Sequence, residues 1–327
     1  MPLTTSAEEN ARDVVTVGIT RSSLRRIILL VALLAAAGAL AQSGAVQAAW
    51  KQLTGERIRV AGPPVEATGR KLDQREIDRI LGLPPQQQAE QLLQAATNHY
   101  EGATDLIEQH VDEWRGHLEF TQKLNDLDLT ARYSNDLRVR AATTELLLAT
   151  FNYPKDGETV DRLVSMAAEN PSARPHATWA LGMLGNRGVQ TERVIDALER
   201  YVDDPDDKTQ FWAVESIAIV GTKETIPILL RIFHDGKTRT QRERAGCGLA
   251  KSGAYTQEER MLAVSTLVEY VERNDVDPET RTWFFQALRE ITNVSLPNDA
   301  SAWRKWLNED GHAKPYGPET WTVRGNS

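Results

Sequence analysis

Apolar and small residues recur at helical spacing in five segments of the chain, and each segment opens with a polar residue that can cap a helix. The segments begin at Asp136, Asn170, Asp206, Thr238 and Asp277, a spacing of 32 to 39 residues. Such side chains accept hydrogen bonds from the free N–H groups of a first helical turn. A period in this range predicts stacked supersecondary units, none of which can bury its apolar face alone.

A second helix is predicted in each unit, because apolar stripes with spacings of three and four residues follow the opening segments. One such stripe is formed by Val160, Leu163, Val164 and Ala167. Strand signals are almost absent. The pattern therefore predicts an all-α chain, an α-solenoid of about five stacked antiparallel helix pairs over residues 134–310.

Helical caps are predicted at both ends of the array. Residues 73–133 are expected to form two or three helices that cover its N-terminal face, and residues 101–126 to include one long amphipathic stretch. Trp303 and Trp306 lie three positions apart, so they share a helix face that can seal the last unit. Residues 311–327 contain Gly and Pro and are predicted to be a flexible tail.

One copy of the pattern is particularly clear. Residues 173–182 contain Arg174, Ala177, Ala180, Leu181 and Gly182 in the order Arg-x-x-Ala-x-x-Ala-Leu-Gly. This motif resembles the HEAT repeat, in the variant shared with the PBS-lyase HEAT-like proteins. Looser copies of the motif extend the resemblance over residues 134–310. The resemblance implies a solenoid fold and, since the family holds mostly binding scaffolds and few enzymes, a partner protein.

The start of the chain has the layout of an export signal. Arg25 and Arg26 precede Ile27–Ala41, fifteen residues without a polar side chain, and small residues suited to signal peptidase follow at 46–48. Residues 1–49 are therefore predicted to be a cleaved signal. The alternative is a retained anchor, because the apolar run extended to position 49 is long enough to span a bilayer.

Export would place the protein in the bacterial periplasm or cell envelope, anchored to the inner membrane through residues 27–49 if these are retained. The Arg25-Arg26 pair leaves the twin-arginine route open beside the general one. Residues 50–72 are predicted to be a linker. The net charge of −8 argues against nucleic acid as a partner. Cys247, the single cysteine, lies between two glycines and is predicted to be a buried packing residue.

An Arg recurs near the start of four of the five segments, at Arg140, Arg174, Arg242 and Arg281. These side chains could form a cationic ladder for an acidic partner. The interpretation that we prefer is structural: each guanidinium bonds to a cap residue or to a carbonyl of a neighbouring unit.

A weak alternative to the scaffold is a metal site. His110, Glu113 and His117 would share a face if they lay on one helix. However, seven residues correspond to about 10 Å along a helix axis, which is far for one ion. No His is followed by Glu, so the di-iron motif of the HEAT-like deoxyhypusine hydroxylases is absent from the sequence. No cofactor and no catalytic residue are therefore predicted.

The second helices are predicted to line a concave surface that grips another protein. Its expected exposed residues are Arg193, Glu199, Arg200, Arg231, His234, Glu269, Tyr270 and Arg273. The function predicted from the sequence is a non-catalytic protein-binding scaffold. The alternative is a HEAT-like enzyme or metal-dependent accessory factor related to oxidoreductases or lyases.

Overall fold

The computed structural model describes residues 70–314, and this part of the chain is helical with one isolated bridge between Lys71 and Glu101. The predicted signal or anchor at 1–49, most of the predicted linker and most of the predicted tail lie outside the described residues. The helices are α1 (Gln74–Leu81), α2 (Pro85–Thr97), α3 (Ala103–Trp114), α4 (Gln122–Arg132), α5 (Leu137–Thr150), α6 (Gly157–Glu169), α7 (Arg174–Asn186), α8 (Thr191–Glu199), α9 (Asp207–Val220), α10 (Thr225–Asp235), α11 (Arg239–Cys247), a π-helix, π1 (Gly248–Ser252), α12 (Gln257–Met261), α13 (Val264–Arg273), α14 (Pro278–Thr292) and α15 (Ala300–Glu309).

Five helix pairs follow one another from α5 onward, which confirms the predicted all-α solenoid. We call α5, α7, α9, α11 and α14 the first helices, and α6, α8, α10, α13 and α15 the second helices. The fourth pair is less regular than the others, because π1 continues α11 and the short α12 precedes α13. π-helical turns of this kind are rare insertions in α-helices.

The predicted caps hold for four of the five first helices. The side chains of Asp136, Asp206, Thr238 and Asp277 each accept a hydrogen bond from a backbone N–H in the first turn of the helix that follows, at 2.9 to 3.1 Å. Each such bond satisfies a donor that the helix itself leaves free, so the sequence signal for these helix starts is physically sound.

The prediction that Asn170 caps a first helix is wrong. Helix α7 begins at Arg174, and the Asn170 side chain accepts from the backbone N–H of Ser172 in the preceding turn. Pro175 explains the later start. A proline lacks the N–H that a helix interior requires, so it is tolerated only in the first turn, and a helix that began at position 171 would place it too deep.

Small residues set the distance between neighbouring first helices. A Cβ atom on Gly182 of α7 would lie 2.6 Å from the Cβ of Ser216 in α9, and one on Gly248 of π1 would lie 2.7 Å from the Cβ of Ala218. Gly182 and Gly185 are both buried inside α7 and not in the turn that follows it. Their role is close helix packing rather than termination.

Two apolar cores meet in α5. The core of the array contains Leu147 and Leu148 of this helix and extends to Trp303 and Trp306 of α15, which close the last pair as predicted. The second core, formed by residues 72–149, includes Leu146 and lies among the N-terminal helices. Helix α5 therefore joins the N-terminal helices to the repeats.

The N-terminal region contains four helices, not the two or three predicted. The expected long helix at 101–126 is interrupted after Trp114, because Gly116 takes a left-handed backbone angle of φ 76°. Helix α4 then begins after Thr121, whose hydroxyl accepts from the N–H of Leu124 at 3.1 Å. A glycine with positive φ and a new cap are a regular way to end one helix and start another.

Arg140 ties α5 to the fourth pair. Its guanidinium donates to the carbonyl oxygens of Lys251, Ser252 and Gly253, 111 to 113 positions further along the chain, at 2.8 to 3.2 Å. Arg260 donates to the carbonyls of Lys251 and Gly253 as well. The two arginines thus satisfy the free carbonyls at the end of π1. Burial, together with the nearby charge of Arg260, lowers the pKa of Arg140 to about 10.

We predict that Gly182→Ala destabilises the protein by roughly 1–3 kcal/mol, since the added methyl overpacks the contact with Ser216. In a helix interior free of neighbours, the same change would stabilise by about 1 kcal/mol. The measurement is chemical unfolding followed by circular dichroism. Adding Ser216→Gly should recover part of the loss, and a Gly182→Ala protein as stable as the parent would refute the close contact.

Candidate partner-binding surfaces

The second helices carry the residues that the sequence predicted for partner binding. Arg193 and Glu199 lie in α8, with Arg200 just beyond it, and Arg231 and His234 lie in α10. The others, Glu269, Tyr270 and Arg273, lie in α13. The predicted set therefore spans three successive second helices. That these helices line a concave surface stays a prediction.

Ion pairs between successive second helices engage much of the charge on this layer. Arg193 pairs with Asp161 of α6, and Arg231 donates to Glu199 of α8 at 2.5 Å. One step further, Arg304 of α15 pairs with Glu272 of α13 in a two-pronged contact. Exposed pairs of this kind stabilise weakly. They do, however, leave few free charges for a partner among the predicted residues.

His234 is not the exposed residue that the sequence predicted. Its side chain is only 9% exposed, and its ring lies 4.4 Å from that of Tyr270 and parallel to that of Phe284. Its Nε2 is 2.9 Å from a carboxylate oxygen of Asp275, beyond α13. The aromatic neighbours cover the ring because α10 and α13 pack against each other here. His234 is thus an internal contact between two units.

A shallow groove of about 450 Å³ runs between α10 and the α12–α13 segment. Its apolar lining includes Ile226, Leu230 and Leu262, the last of which is 58% exposed. Tyr270 is the one predicted site residue that lines it. Burial, followed by the charge of Asp235, raises the pKa of the Tyr270 hydroxyl, so this group stays protonated near neutrality.

We predict that Arg231→Gln changes the free energy of unfolding by no more than about 0.5 kcal/mol, because the ion pair that it removes is exposed. His234→Ala should cost roughly 1–3 kcal/mol, since it leaves a gap between packed rings. Urea unfolding of both variants checks this. An equal loss for the two would mean that the second-helix layer is organised differently.

A row of aromatic side chains, which we call the aromatic stripe, runs from the N-terminal region past the end of α5 to α7 and α9. Successive ring centroids are 5.1 to 6.5 Å apart. Its members are Phe120, Phe151, Tyr153, His176, Trp179, Phe211 and Trp212.

The members of the aromatic stripe are only partly covered. Phe120 is 47% exposed, Trp179 is partly buried against the repeat core, and Trp212 is half-buried. Contiguous exposed aromatic surface of this kind marks interaction sites in soluble proteins. Tyr and Trp rings in particular supply a large contact area at a low cost in side-chain entropy.

Polar groups adjoin the stripe where it reaches α9 and α11. The guanidinium of Arg244 lies over the Phe211 ring, 5.8 Å from its centroid. Glu215 follows Trp212 by three positions, so the two side chains share a helix face. Tyr133, at the end of α4, is 55% exposed. Desolvation of the hydroxyl end of this side chain, followed by the negative charge of Glu215, raises the pKa of the Tyr133 hydroxyl.

Sequence reasoning missed this stripe, although the repeat register contains a signal for it. Two positions after each repeated Arg or Gln come Ala142, His176, Trp212, Arg244 and Trp283. Five positions after it come Glu145, Trp179, Glu215, Cys247 and Gln286. Aromatic side chains recur in these two columns, at His176, Trp179, Trp212 and Trp283, and not at the close helix contacts. Reading these two columns across the repeats would have identified the face.

The repeated arginines hold the stack, as the preferred interpretation predicted. Arg174 donates to the carbonyl of Ala167 and pairs with Asp204 at 2.8 Å. Arg281 likewise donates to the carbonyl of Val271. Bonds to carbonyls and buried carboxylates occupy these guanidinium groups, so they do not form a free ladder for an acidic partner.

The alternative metal site is not assembled. His110 and Glu113 are hydrogen-bonded at 3.1 Å on α3, but His117 lies in the turn after that helix ends. The expectation of one shared helix face is therefore wrong. Within residues 70–314, no group of three His, Cys, Asp or Glu side chains is placed to hold a metal ion.

Cys247 is half-buried at the end of α11, and burial raises the pKa of its thiol. A thiol that stays protonated is a poor nucleophile. Across the described residues, none of the helices has the length and apolar character needed to cross a membrane.

Stacked helix pairs with one repeating register define a helical-repeat protein of the α-solenoid class. The family model for HEAT repeats matches residues 160–250, which contain most of α6, the second and third helix pairs, and α11 of the fourth pair. This part of the chain is accordingly similar to HEAT repeats. No curated protein matches the chain.

We predict that His176 titrates below the usual pKa of 6.5, because burial in the aromatic stripe disfavours its charged form. Its Nε2 lies 2.8 Å from the Tyr153 hydroxyl. A depressed folded-state pKa means that the unfolded chain binds the proton more readily, so stability is full above about pH 6.5 and falls as the pH drops further. An NMR titration of the ring measures the pKa. The melting temperature of the parent protein should fall between pH 7 and pH 5, and in His176→Phe this fall should be smaller. An equal fall in the two proteins would refute the assignment to His176.

Proposed function

We propose that this protein is a non-catalytic scaffold of the bacterial cell envelope that holds a partner protein against its HEAT-like repeats. The observation that carries the proposal is the aromatic stripe, which runs across three successive units on a partly exposed face. HEAT repeats generally serve as protein-binding scaffolds, and a solenoid presents an extended surface for this purpose.

The aromatic stripe is a better primary contact than the second-helix layer. Binding energy at protein interfaces concentrates in a few buried aromatic and Arg anchors, whereas rim charges contribute little. The stripe offers Trp179, Trp212 and the nearby Arg244. On the second helices, by contrast, Arg193, Arg231 and Arg273 are engaged with neighbouring carboxylates.

The location in the envelope rests on the sequence. A basic segment, an apolar run of fifteen residues and a small-residue cleavage site precede the repeats, which is the layout of a secretory signal. We propose that the repeats act outside the cytoplasm, either released by cleavage or held by the retained apolar run. The enzyme alternative has no comparable support.

The test is partner capture by the full chain from envelope extracts, quantified by mass spectrometry. We predict that Trp212→Leu lowers recovery of the specific partner at least about tenfold, as expected for the loss of an interface anchor. Trp283→Leu is the matched control, since Trp283 occupies the same register position but packs under Arg239, away from the stripe. This control should bind like the parent protein.

Arg231→Gln distinguishes the two faces. If capture depends on Arg231 and not on Trp212, the second-helix layer is the binding surface and the proposal for the stripe is wrong. Thermal melting of every variant shows whether a lost interaction reflects unfolding. A specific partner that all three variants capture equally would place binding elsewhere on the molecule.

A further inference from the structure

Glu215 is a buried acid beside the aromatic stripe. It lies in α9 with only 7% of its surface exposed, and its Oε2 atom has no hydrogen-bond partner among the described residues. A buried acceptor without a donor is costly and rare in native proteins. A carboxylate in this position calls for a donor from outside the described chain.

The cations around Glu215 are committed to other groups. Arg132 pairs with Asp128, and Arg140 donates to the carbonyls that end π1. Arg244 lies over Phe211 and contacts Glu243 at 3.5 Å. These positive charges stabilise the Glu215 carboxylate electrostatically, but none of them donates a hydrogen bond to its Oε2 atom.

The geometry of the repeats brings Glu215 into register with the two tryptophans. Trp212 precedes it by three residues on α9, and Trp179 occupies on α7 the register position that Glu215 occupies on α9. These two helices approach closely at Gly182 and Ser216. The Trp179 and Trp212 rings are 6.5 Å apart, and Trp212 shares a helix face with Glu215.

Aromatic faces next to a carboxylate form a chemical environment for a cation. A Lys or Arg side chain is attracted by the ring faces and donates charge-assisted hydrogen bonds to the acid. The net charge of −8 of the whole chain also favours a basic partner in the encounter.

We infer that the aromatic stripe takes an extended segment of a partner protein and that a Lys or Arg side chain of this segment lies against Trp179 and Trp212 and donates to Glu215. The inference rests on the proposed function and specifies its partner: an extended peptide with a basic residue flanked by apolar ones. The apolar residues pack on the stripe, and the basic residue fixes their register.

The test uses three fluorescein-labelled peptides with a repeating Leu-Pro-X sequence, in which X is lysine, norleucine or glutamate. Fluorescence anisotropy measures their binding to the full chain at low and physiological salt. The lysine peptide should bind best. Glu215→Gln should weaken its binding about 10- to 100-fold, in line with the loss of a charge-assisted hydrogen bond. Glu243→Gln, an acid on the neighbouring first helix, should change it less than about twofold.

The other outcomes are equally informative. Equal binding of the lysine and norleucine peptides to the parent protein would overturn the cation site but leave the stripe as a binding surface. Preferred binding of the glutamate peptide would overturn it as well. Failure of the proposed function looks different, because then Trp212→Leu changes neither peptide binding nor partner capture. If Glu215→Gln does not fold, the salt dependence of lysine-peptide binding to the parent protein decides, since binding that salt leaves unchanged would refute the cation site.

Discussion

The close approach of neighbouring first helices is the constraint on which the rest of the structure depends. Where α7 meets α9 and α9 meets π1, the contact positions hold Gly182, Ser216, Ala218 and Gly248, and larger side chains have no room there. Larger side chains therefore lie on the two flanks of each first helix. One flank packs on the second helices and forms the core, and the other carries the aromatic stripe. Core and candidate site are consequences of the same spacing.

A different interaction holds α5 against the fourth pair. Arg140 and Arg260 converge on the carbonyls that π1 leaves free, and α5 contributes to both apolar cores. A guanidinium can satisfy several carbonyls at once because it offers five donors in one plane. The first repeat pair is thus bonded to the fourth through Arg140, and Tyr133, at the end of α4, lies near Glu215 of α9.

Sequence reasoning predicted the fold where local chemistry decides it. Helix starts at Asp136 and Asp277, small residues at the contacts and structural roles for the repeated arginines follow from capping, size and charge. It failed at Asn170, because the positional limit on Pro175 outweighs a good capping residue. It also missed the aromatic stripe and misjudged His234. Both depend on which flank of a helix faces a neighbour, and that is set by packing between units rather than by the pattern within one.

Solenoids commonly change length in evolution by gaining or losing whole units, since each unit contacts only its neighbours. The bridge from Arg140 to the end of π1 removes that freedom over part of this chain. Its two ends lie 111 to 113 residues apart, with two complete helix pairs between them. Deleting or duplicating one of those pairs would carry the carbonyls out of reach of the guanidinium. This contact therefore fixes the number of units between α5 and π1, whereas units added after α15 would meet no such restriction.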